Sequence, residues 1–289
     1  MSPSIRPHYF WRPFAPHRQR IYLIGTVVET LFLMVPTIGV QAGWLAPTIG
    51  LDVIANVILT IPFVFLPAVV LWDAPGENRT PMEKGAELIL VWLPFTAFSQ
   101  ITYELPFLIG NVLGTWKPTD NPGWQWIWWQ YAQADTRWWG TNATMFALEL
   151  VAVTSGITIL FIWIKLLKTS TTDEQRVRAL WWCFLHIAMI TACTLVYFVS
   201  EIRAGFVNIR QGPYGVAFKF LFMNLAFMTY PVPTLYFIYG QIDYLTRRGG
   251  PRLSEPAPRG REHSASRIGR IVSCLVDGLA RGPRHHKFS

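Results

Sequence analysis

Two glutamates stand out because each lies inside a long apolar stretch of the chain. Glu149 lies within the otherwise apolar segment 145–151 and has no basic residue within a helical turn. Glu104 lies four residues after Gln100, so the two side chains share one face of a helix. An ionisable group inside a membrane span costs roughly 2.5–3.5 kcal/mol on insertion scales. Both glutamates are therefore candidate functional residues.

Two carboxyl groups in one apolar bundle can do acid–base chemistry. Desolvation disfavours the charged form of a carboxyl, so an acid in apolar surroundings can stay protonated and donate a proton. A second carboxyl in the same bundle can then receive one. Such a pair, without a metal, a nucleophile or a phosphate-binding loop, suits addition and removal of protons on an apolar substrate. A hydrogen bond between helices is the structural alternative.

Other polar residues lie in the same apolar stretches. For Glu29, Asp52 and His186 the favoured interpretation is a helix–helix hydrogen bond. Glu87 and Asp243 lie at span ends, where a side chain reaches the interface at little cost, so we set them aside. The sequence contains no CxxC pair, GxSxG, Walker loop or HExxH, so no metal site or hydrolase motif is indicated.

Aromatic residues accompany the acids along these stretches. An aromatic face stabilises a cation by about 2 kcal/mol or more in a desolvated site, so such residues could wall a carbocation. Packing between helices is the alternative, and we assign it to more than half of them. They are Phe95, Phe98, Tyr103, Phe107, Tyr197, Phe222, Phe227 and Tyr230.

The composition indicates the membrane elements that must position these residues. Of the 289 residues, 52% are hydrophobic and 15% are charged, whereas soluble domains carry about a quarter charged residues. A helix needs about 20 apolar residues to cross the hydrocarbon core, and its backbone groups must pair internally. We predict an all-α polytopic membrane bundle, with helices at 21–44, 49–72, 87–113, 143–167, 179–200 and 216–241.

Basic residues set the orientation of this bundle. They concentrate in the segment 1–20, in the loops 73–86 and 168–178, and in the tail, which places both termini in the cytosol. The basic tail 243–289 accounts for much of the net charge of +8, which favours attraction to anionic lipid over nucleic-acid binding. An apolar stripe over 267–281 predicts a helix that lies on the membrane surface, or one without a function of its own.

Seven of the fourteen tryptophans lie between Trp116 and Trp139, in the longest loop between predicted spans. Tryptophans at this position are typical of an aromatic belt at the membrane interface. The same residues could form a lid over a cavity that opens at that face. Both interpretations stay open, because a lid at the interface would use the same side chains.

Four further stretches of the chain form a pattern by their order and spacing. They are FSQITYELPF at 98–107, WWQYAQADTR at 128–137, YFVSEIRAGF at 197–206 and FLFMN at 220–224. These stretches resemble the emopamil-binding-protein family, which shares the EXPERA domain with the sigma-2 receptor. The resemblance covers about residues 88–242 and implies an EXPERA-like four-helix core over 87–242, preceded by two additional helices within 21–86.

The family's known enzyme shifts a sterol ring double bond from Δ8 to Δ7 through a carbocation. The resemblance implies that Glu104 and Glu149 match its acidic catalytic positions, and that Asn224 matches its pocket asparagine. The chain has Gln100 in place of a histidine, and Phe227 in place of a tryptophan that faces the cation. These departures weigh against sterol isomerisation and leave acid-initiated carbocation chemistry.

We therefore expect a membrane-embedded enzyme acting on an isoprenoid, favoured as a terpene cyclase that opens an epoxide or protonates an alkene. A sterol Δ8–Δ7 isomerase is the first alternative, and a non-catalytic sterol or lipid-binding protein of the sigma-2 kind is the second. No metal or organic cofactor is expected. The expected partners are a hydrophobic isoprenoid or sterol and the lipid bilayer, and a homodimer is compatible with the sequence. The resemblance implies the endoplasmic reticulum membrane.

Each candidate residue has an expected role in this chemistry. Glu149 is the expected proton donor or main carboxylate, and Glu104 is its acid/base partner, oriented by Gln100. The asparagine is expected to hold a polar group of the substrate, and the aromatic residues are expected to wall the cation. The substrate-binding candidates are Gln100, Asn224, Phe227, Tyr230 and Tyr103.

Overall fold

The computed structural model describes residues 16–119, 122–139, 142–168 and 172–249. Within them the secondary structure is helical apart from one isolated bridge between Asp135 and Ile209. This confirms the predicted all-α bundle. The predictions for residues 1–15 and for the tail beyond 249, including the surface helix 267–281, lie outside the described residues.

Six helical stretches are long and apolar enough to cross a membrane, so the chain is a multi-pass membrane protein. Four of them begin or end several residues beyond the predicted spans, and in the third and fifth a capping box starts the helix before its apolar centre. The stretches are His17–Gln41, Ile49–Leu71, Pro81–Val112, Ala143–Leu166, Asp173–Ala204 and Pro213–Arg247.

The helices follow in chain order, and two of the spans contain π-helical segments. The α-helices are α1 Pro16–Gln41, α2 Ile49–Leu71, α3 Pro81–Ser99, α4 Leu105–Val112, α5 Trp126–Ala134, α6 Ala143–Lys168, α7 Asp173–Ala204, α8 Leu225–Thr229 and α9 Pro231–Gly249. A π-turn, Gln100–Glu104, joins α3 to α4, and a π-helix, Pro213–Phe222, precedes α8.

Local signals explain where these helices begin and end. Thr80 and Glu83 form a capping box at the start of α3, whose first residue is Pro81. Thr172 and Gln175 form another at the start of α7, where two acidic residues complement the helix dipole. The seventh helix ends at a glycine with a φ of 74°, a conformation that favours glycine.

The π-turn in the third span widens the helix where the predicted acid lies. The Leu105 N–H donates to the Gln100 carbonyl, five residues back. Pro106 has no N–H to donate to the carbonyl of Thr102, which favours a local rearrangement of this kind. Single π-turns inside α-helices are frequent at functional sites.

The main apolar core lies between α3, α6, α7 and α9. Trp92, Ile159, Leu180 and Ile238 are almost fully buried there. A second apolar cluster joins the tryptophan-rich segment to α4, α6, α7 and the π-helix. Helix α1 packs on α2 and on α5, and leaves most of its apolar side chains exposed at the outside of the bundle. These three packing regions enclose a cavity.

Candidate active site

A cavity of about 520 Å³ lies within the bundle and is mainly apolar in its lining. Its volume falls in the range of pockets that bind drug-sized molecules. Six of the seven predicted site residues line it, all except Tyr230. Five of them come from the third and sixth spans, and one comes from α6. They are Gln100, Tyr103, Glu104, Asn224, Phe227 and Glu149.

The carboxyl groups of Glu104 and Glu149 meet in this cavity and are hydrogen-bonded to each other. Glu104 comes from the π-turn and Glu149 from the first part of α6, and these two elements are in direct contact. A hydrogen bond between two carboxyl groups needs a proton, because two carboxylates repel and both can only accept. One oxygen of Glu104 remains buried without a partner. The pair can therefore hold and transfer a proton.

Gln100 is 5% exposed and lies on the cavity wall, but it does not orient Glu104 as predicted. Its amide oxygen has no hydrogen-bond partner among the described residues. The prediction assumed α-helical geometry, in which residues four apart share a face. The π-turn between the two residues changes their angular offset. Gln100 instead packs against α6, where a Cβ added at Gly156 would lie 2.7 Å from the Cβ of Gln100.

Asn224 faces the cavity with its amide nitrogen already used. The Nδ2 group donates to the Tyr131 hydroxyl at 2.7 Å, to the Phe220 carbonyl at 2.9 Å and to the Lys219 carbonyl at 3.2 Å. Only the carbonyl oxygen of this side chain is left for a ligand. Asn224 can therefore accept a hydrogen bond from a substrate, and cannot readily donate one.

Aromatic rings form much of the cavity wall. Phe63, Phe95 and Phe227 form one packed group, with edge-on contacts at centroid distances of 5.3 and 6.3 Å from Phe63. Tyr103 stacks on Trp128 at 5.4 Å and meets Tyr131 edge-on at 6.3 Å. Of the aromatic candidates from the sequence, those on the cavity wall are Phe95, Phe98, Tyr103, Tyr197 and Phe227.

Tyr230 does not line this cavity, in contrast to the prediction. Its ring stacks on Trp92 at 4.8 Å, and its hydroxyl donates to the Phe63 carbonyl, behind the aromatic wall. Each three-residue step along an α-helix turns a side chain by about 300°. After the first such rotation, from Asn224 to Phe227, the side chain still faces the cavity. After the second, the Tyr230 side chain no longer does. Phe107 and Phe222 also lie elsewhere.

The described part of the tryptophan-rich segment is largely helical and forms part of the cavity wall. Trp128 and Trp138 face the cavity, whereas Trp126 is fully buried and donates from Nε1 to the Thr37 hydroxyl at 3.3 Å. Trp124 is 50% exposed. The segment contains α5 and two 3₁₀ turns, Gly123–Gln125 and Thr136–Trp138. The segment thus contributes directly to the cavity wall.

A buried ion network fastens this segment to α7. Arg137 Nη2 lies 2.6 Å from Asp135, and its Nε lies 3.4 Å from Glu201. The Tyr197 hydroxyl, which is also on the cavity wall, donates to Asp135 at 2.8 Å. The guanidinium stacks 4.3 Å above the Tyr197 ring. The quoted motifs contain these residues, but a role was predicted only for Tyr197, as a possible wall for a cation.

A second buried ion pair lies behind the cavity, between Asp52 of α2 and Lys219 of the π-helix. Lys219 Nζ is 2.7 Å from the carboxylate, and both side chains are at most 1% exposed. The Tyr214 hydroxyl donates to Asp52 at 3.0 Å, and Asn56 Nδ2 donates to it at 2.9 Å. Asp52 thus makes the predicted hydrogen bond to another helix, from Tyr214, and in addition an ion pair with Lys219. Lys219 lies inside the predicted span 216–241, but the sequence pattern predicted no role for it.

Glu87 was set aside as a residue that reaches the interface, and this was wrong. Its side chain is fully buried and pairs with Arg18 at 2.9 Å and also with Arg79. These two arginines come from α1 and from the loop before α3 and bring the compensating charge. His186 behaves as predicted, with Nδ1 of α7 lying 3.2 Å from the Ser155 hydroxyl of α6.

Comparison of the chain with protein-family models, with curated proteins and with solved structures finds no match. The function is therefore inferred from the site.

Proposed function

We propose that the protein is a membrane-embedded enzyme that protonates an isoprenoid and guides the resulting carbocation, favoured as a terpene cyclase. The observation that carries this proposal is the hydrogen-bonded pair of Glu104 and Glu149 in an apolar cavity. The resemblance to the emopamil-binding-protein family supports the same two positions as acidic catalytic residues.

In the proposed reaction, the acid pair supplies and recovers one proton. The protonated carboxyl gives its proton to an epoxide oxygen, the C–O bond breaks, and a tertiary carbocation forms. The neighbouring alkene attacks this cation with its π electrons, which closes a ring and moves the charge along the chain. A carboxylate then removes a proton from carbon and leaves an alkene. The product is an isomer of the substrate, so no co-reactant is needed.

The surroundings of the pair suit such a reaction. A dry cavity protects a cation from capture by water, and rings at Tyr103, Trp128 and Phe227 present faces or edges along its wall. Glu149 is the proposed proton donor and Glu104 its partner. Asn224 would accept a hydrogen bond from a polar group of the substrate, since only its carbonyl oxygen is free.

Turnover of an epoxide probe tests this function. Membranes containing the protein should convert a farnesylated phenol with a terminal epoxide into a cyclic isomer of the same mass. Glu149→Gln and Glu104→Gln should each lower the rate by about 100-fold or more, the usual contribution of a general acid. Glu174→Gln is the matched control, because Glu174 pairs with Arg178 on the surface.

The outcomes separate the three candidate functions. Retained cyclisation by Glu149→Gln would remove that residue from the mechanism. If the epoxide is not cyclised, expression in a sterol-isomerase-deficient cell distinguishes an isomerase, which restores Δ7 sterols, from a lipid-binding protein, which does not.

We also propose the endoplasmic reticulum membrane as the location, with cytosolic termini. The distribution of basic residues supports this orientation. A glycosylation acceptor site added at either terminus should stay unmodified, and glycosylation of a terminal site would contradict the orientation.

A further inference from the structure

Glu29, near the middle of α1, is a third carboxyl group on the wall of the cavity. No hydrogen bond or ion pair from the described residues reaches it. Glu29 comes from α1, whereas the acid pair comes from the third and fourth spans. The predicted helix–helix hydrogen bond of Glu29 is therefore not seen.

This isolation distinguishes Glu29 from the other acids of the spans. Among the described residues of the six spans, every other aspartate and glutamate has a side-chain partner, either a base, a hydrogen-bond donor or a second carboxyl. A polar group at membrane depth is costly unless something satisfies it. Within the protein nothing does, which points to a ligand as the partner.

The residues beside Glu29 indicate the chemistry of that partner. Thr26 and Thr30 also face the cavity, and each hydroxyl donates to a carbonyl of its own helix, at 2.9 and 2.8 Å. Their oxygens are left as acceptors. A carboxyl beside two acceptors matches a hydroxyl group, which can hydrogen-bond to the carboxyl and to a threonine oxygen.

Access to this part of the cavity is from the side of the bundle. Phe98 and Thr102 line the cavity and are both exposed on the outer face of the third span, and the Phe98 side chain is 63% exposed. Helix α1 packs mainly on α2 and on the turn Gly123–Gln125, and it is joined to α3 near its own start, where Arg18 and Tyr22 hydrogen-bond to Glu87. An amphiphile in the bilayer can therefore reach the cavity between α1 and the third span.

We propose that Glu29, with Thr26 and Thr30, binds the hydroxyl head group of an isoprenoid alcohol or phenol. The hydrocarbon chain of this ligand extends along the aromatic wall to Glu104 and Glu149. This inference rests on the proposed function for the identity of the chain as isoprenoid, and it defines the substrate class as an amphiphile with a hydrogen-bonding head.

Binding of a matched pair of probes tests the site without any chemistry. The probes are tritium-labelled farnesylated phenol and its O-methyl ether, neither of which carries an epoxide. Equilibrium dialysis against protein in nanodiscs, corrected with empty nanodiscs, should give about tenfold tighter binding of the phenol, the value of one net hydrogen bond.

Two substitutions at Glu29 locate this preference. Glu29→Leu should remove it and leave the affinity for the ether unchanged. This variant should fold, because leucine inserts into a membrane helix more readily than glutamate. Glu29→Gln should keep part of the preference, because its amide donates and accepts hydrogen bonds. Glu174→Gln, remote from the cavity, should bind like the wild type.

Equal binding of the two probes by the wild type, failure of both to bind, or a preference that survives Glu29→Leu would each overturn the inference. The proposed function is judged separately, from cyclisation of the epoxide. A phenol preference that persists in Glu149→Gln, together with no cyclisation by the wild type, would keep the head-group site and reject the cyclase. If the epoxides of the phenol and of the ether bind equally tightly and are cyclised at equal rates, the cyclase is kept and the head-group site is rejected.

Discussion

Gly156 of α6 lies directly against Gln100 of the π-turn. A Cβ at Gly156 would be 2.7 Å from the Gln100 Cβ and 3.4 Å from the Ala97 carbonyl. Glu149 lies seven residues, about two turns, before Gly156, so both are on the same side of α6. This glycine therefore sets how closely α6, with Glu149, approaches the π-turn that carries Glu104.

Gly156→Ala should separate these two elements and lower turnover of the epoxide probe. The contact is too short for a methyl group, and overpacking of this kind costs about 1–3 kcal/mol of stability. The rate and the unfolding free energy should be measured on the same preparation. Gly50→Ala is the control, because its Cβ would meet only the Thr48 hydroxyl at 3.9 Å. Equal activity of the two variants would show that the separation does not matter.

The Asp52–Lys219 pair should be strongly coupled energetically. Asp52→Asn or Lys219→Met alone leaves one buried group without its partner, at a cost of about 3–5 kcal/mol. The double variant should lose much less than the sum of the two, since neither charge then remains. Reversible unfolding in mixed micelles measures the three free energies. Additive losses would mean that the two residues do not form a pair.

Arg137→Gln should loosen the tryptophan-rich segment. It removes the cation that lies between two buried carboxylates, Asp135 of this segment and Glu201 of α7. We expect a loss of about 3–5 kcal/mol and faster proteolysis between residues 123 and 138. Arg178→Gln is the control, because its ion pair is exposed and contributes about 1 kcal/mol or less. Equal protease resistance of both variants would contradict the proposed anchoring role.

Acid should destabilise the loop between α2 and α3. A hydrogen bond from Lys84 lowers the pKa of Asp73, and a hydrogen bond from Arg18 lowers that of Glu77. A carboxyl with a lowered pKa stabilises the folded state above its ordinary pKa, and this contribution is lost as the pH falls through the folded value. The unfolding temperature should therefore fall from about pH 5 downwards. The variant Asp73→Asn/Glu77→Gln should show a shallower fall, and an unchanged slope would contradict the prediction.

Much of the candidate site follows from one rule, that a polar residue inside an apolar membrane helix has either a polar partner or a function. This rule identified Glu104, Glu149 and Asn224, and all three face the cavity. Applied without exception, it would also have identified Lys219, which lies within a predicted span. It failed at Glu87, because the partner Arg18 is 69 residues away in the chain. No local pattern shows such a pairing.

The sequence by itself determined that this is a multi-pass helical membrane protein, and it located the six spans and the acids within them. Hydrophobic length and the pairing of backbone groups in lipid are local properties, so they can be deduced from each segment alone. Only the tertiary structure decided which acids meet, that Glu29 faces the cavity unpaired, and that Tyr230 does not face it. These outcomes depend on how each helix is rotated against its neighbours. That rotation is set by contacts between residues far apart in the chain, such as Asp52 and Lys219, which are 167 positions apart.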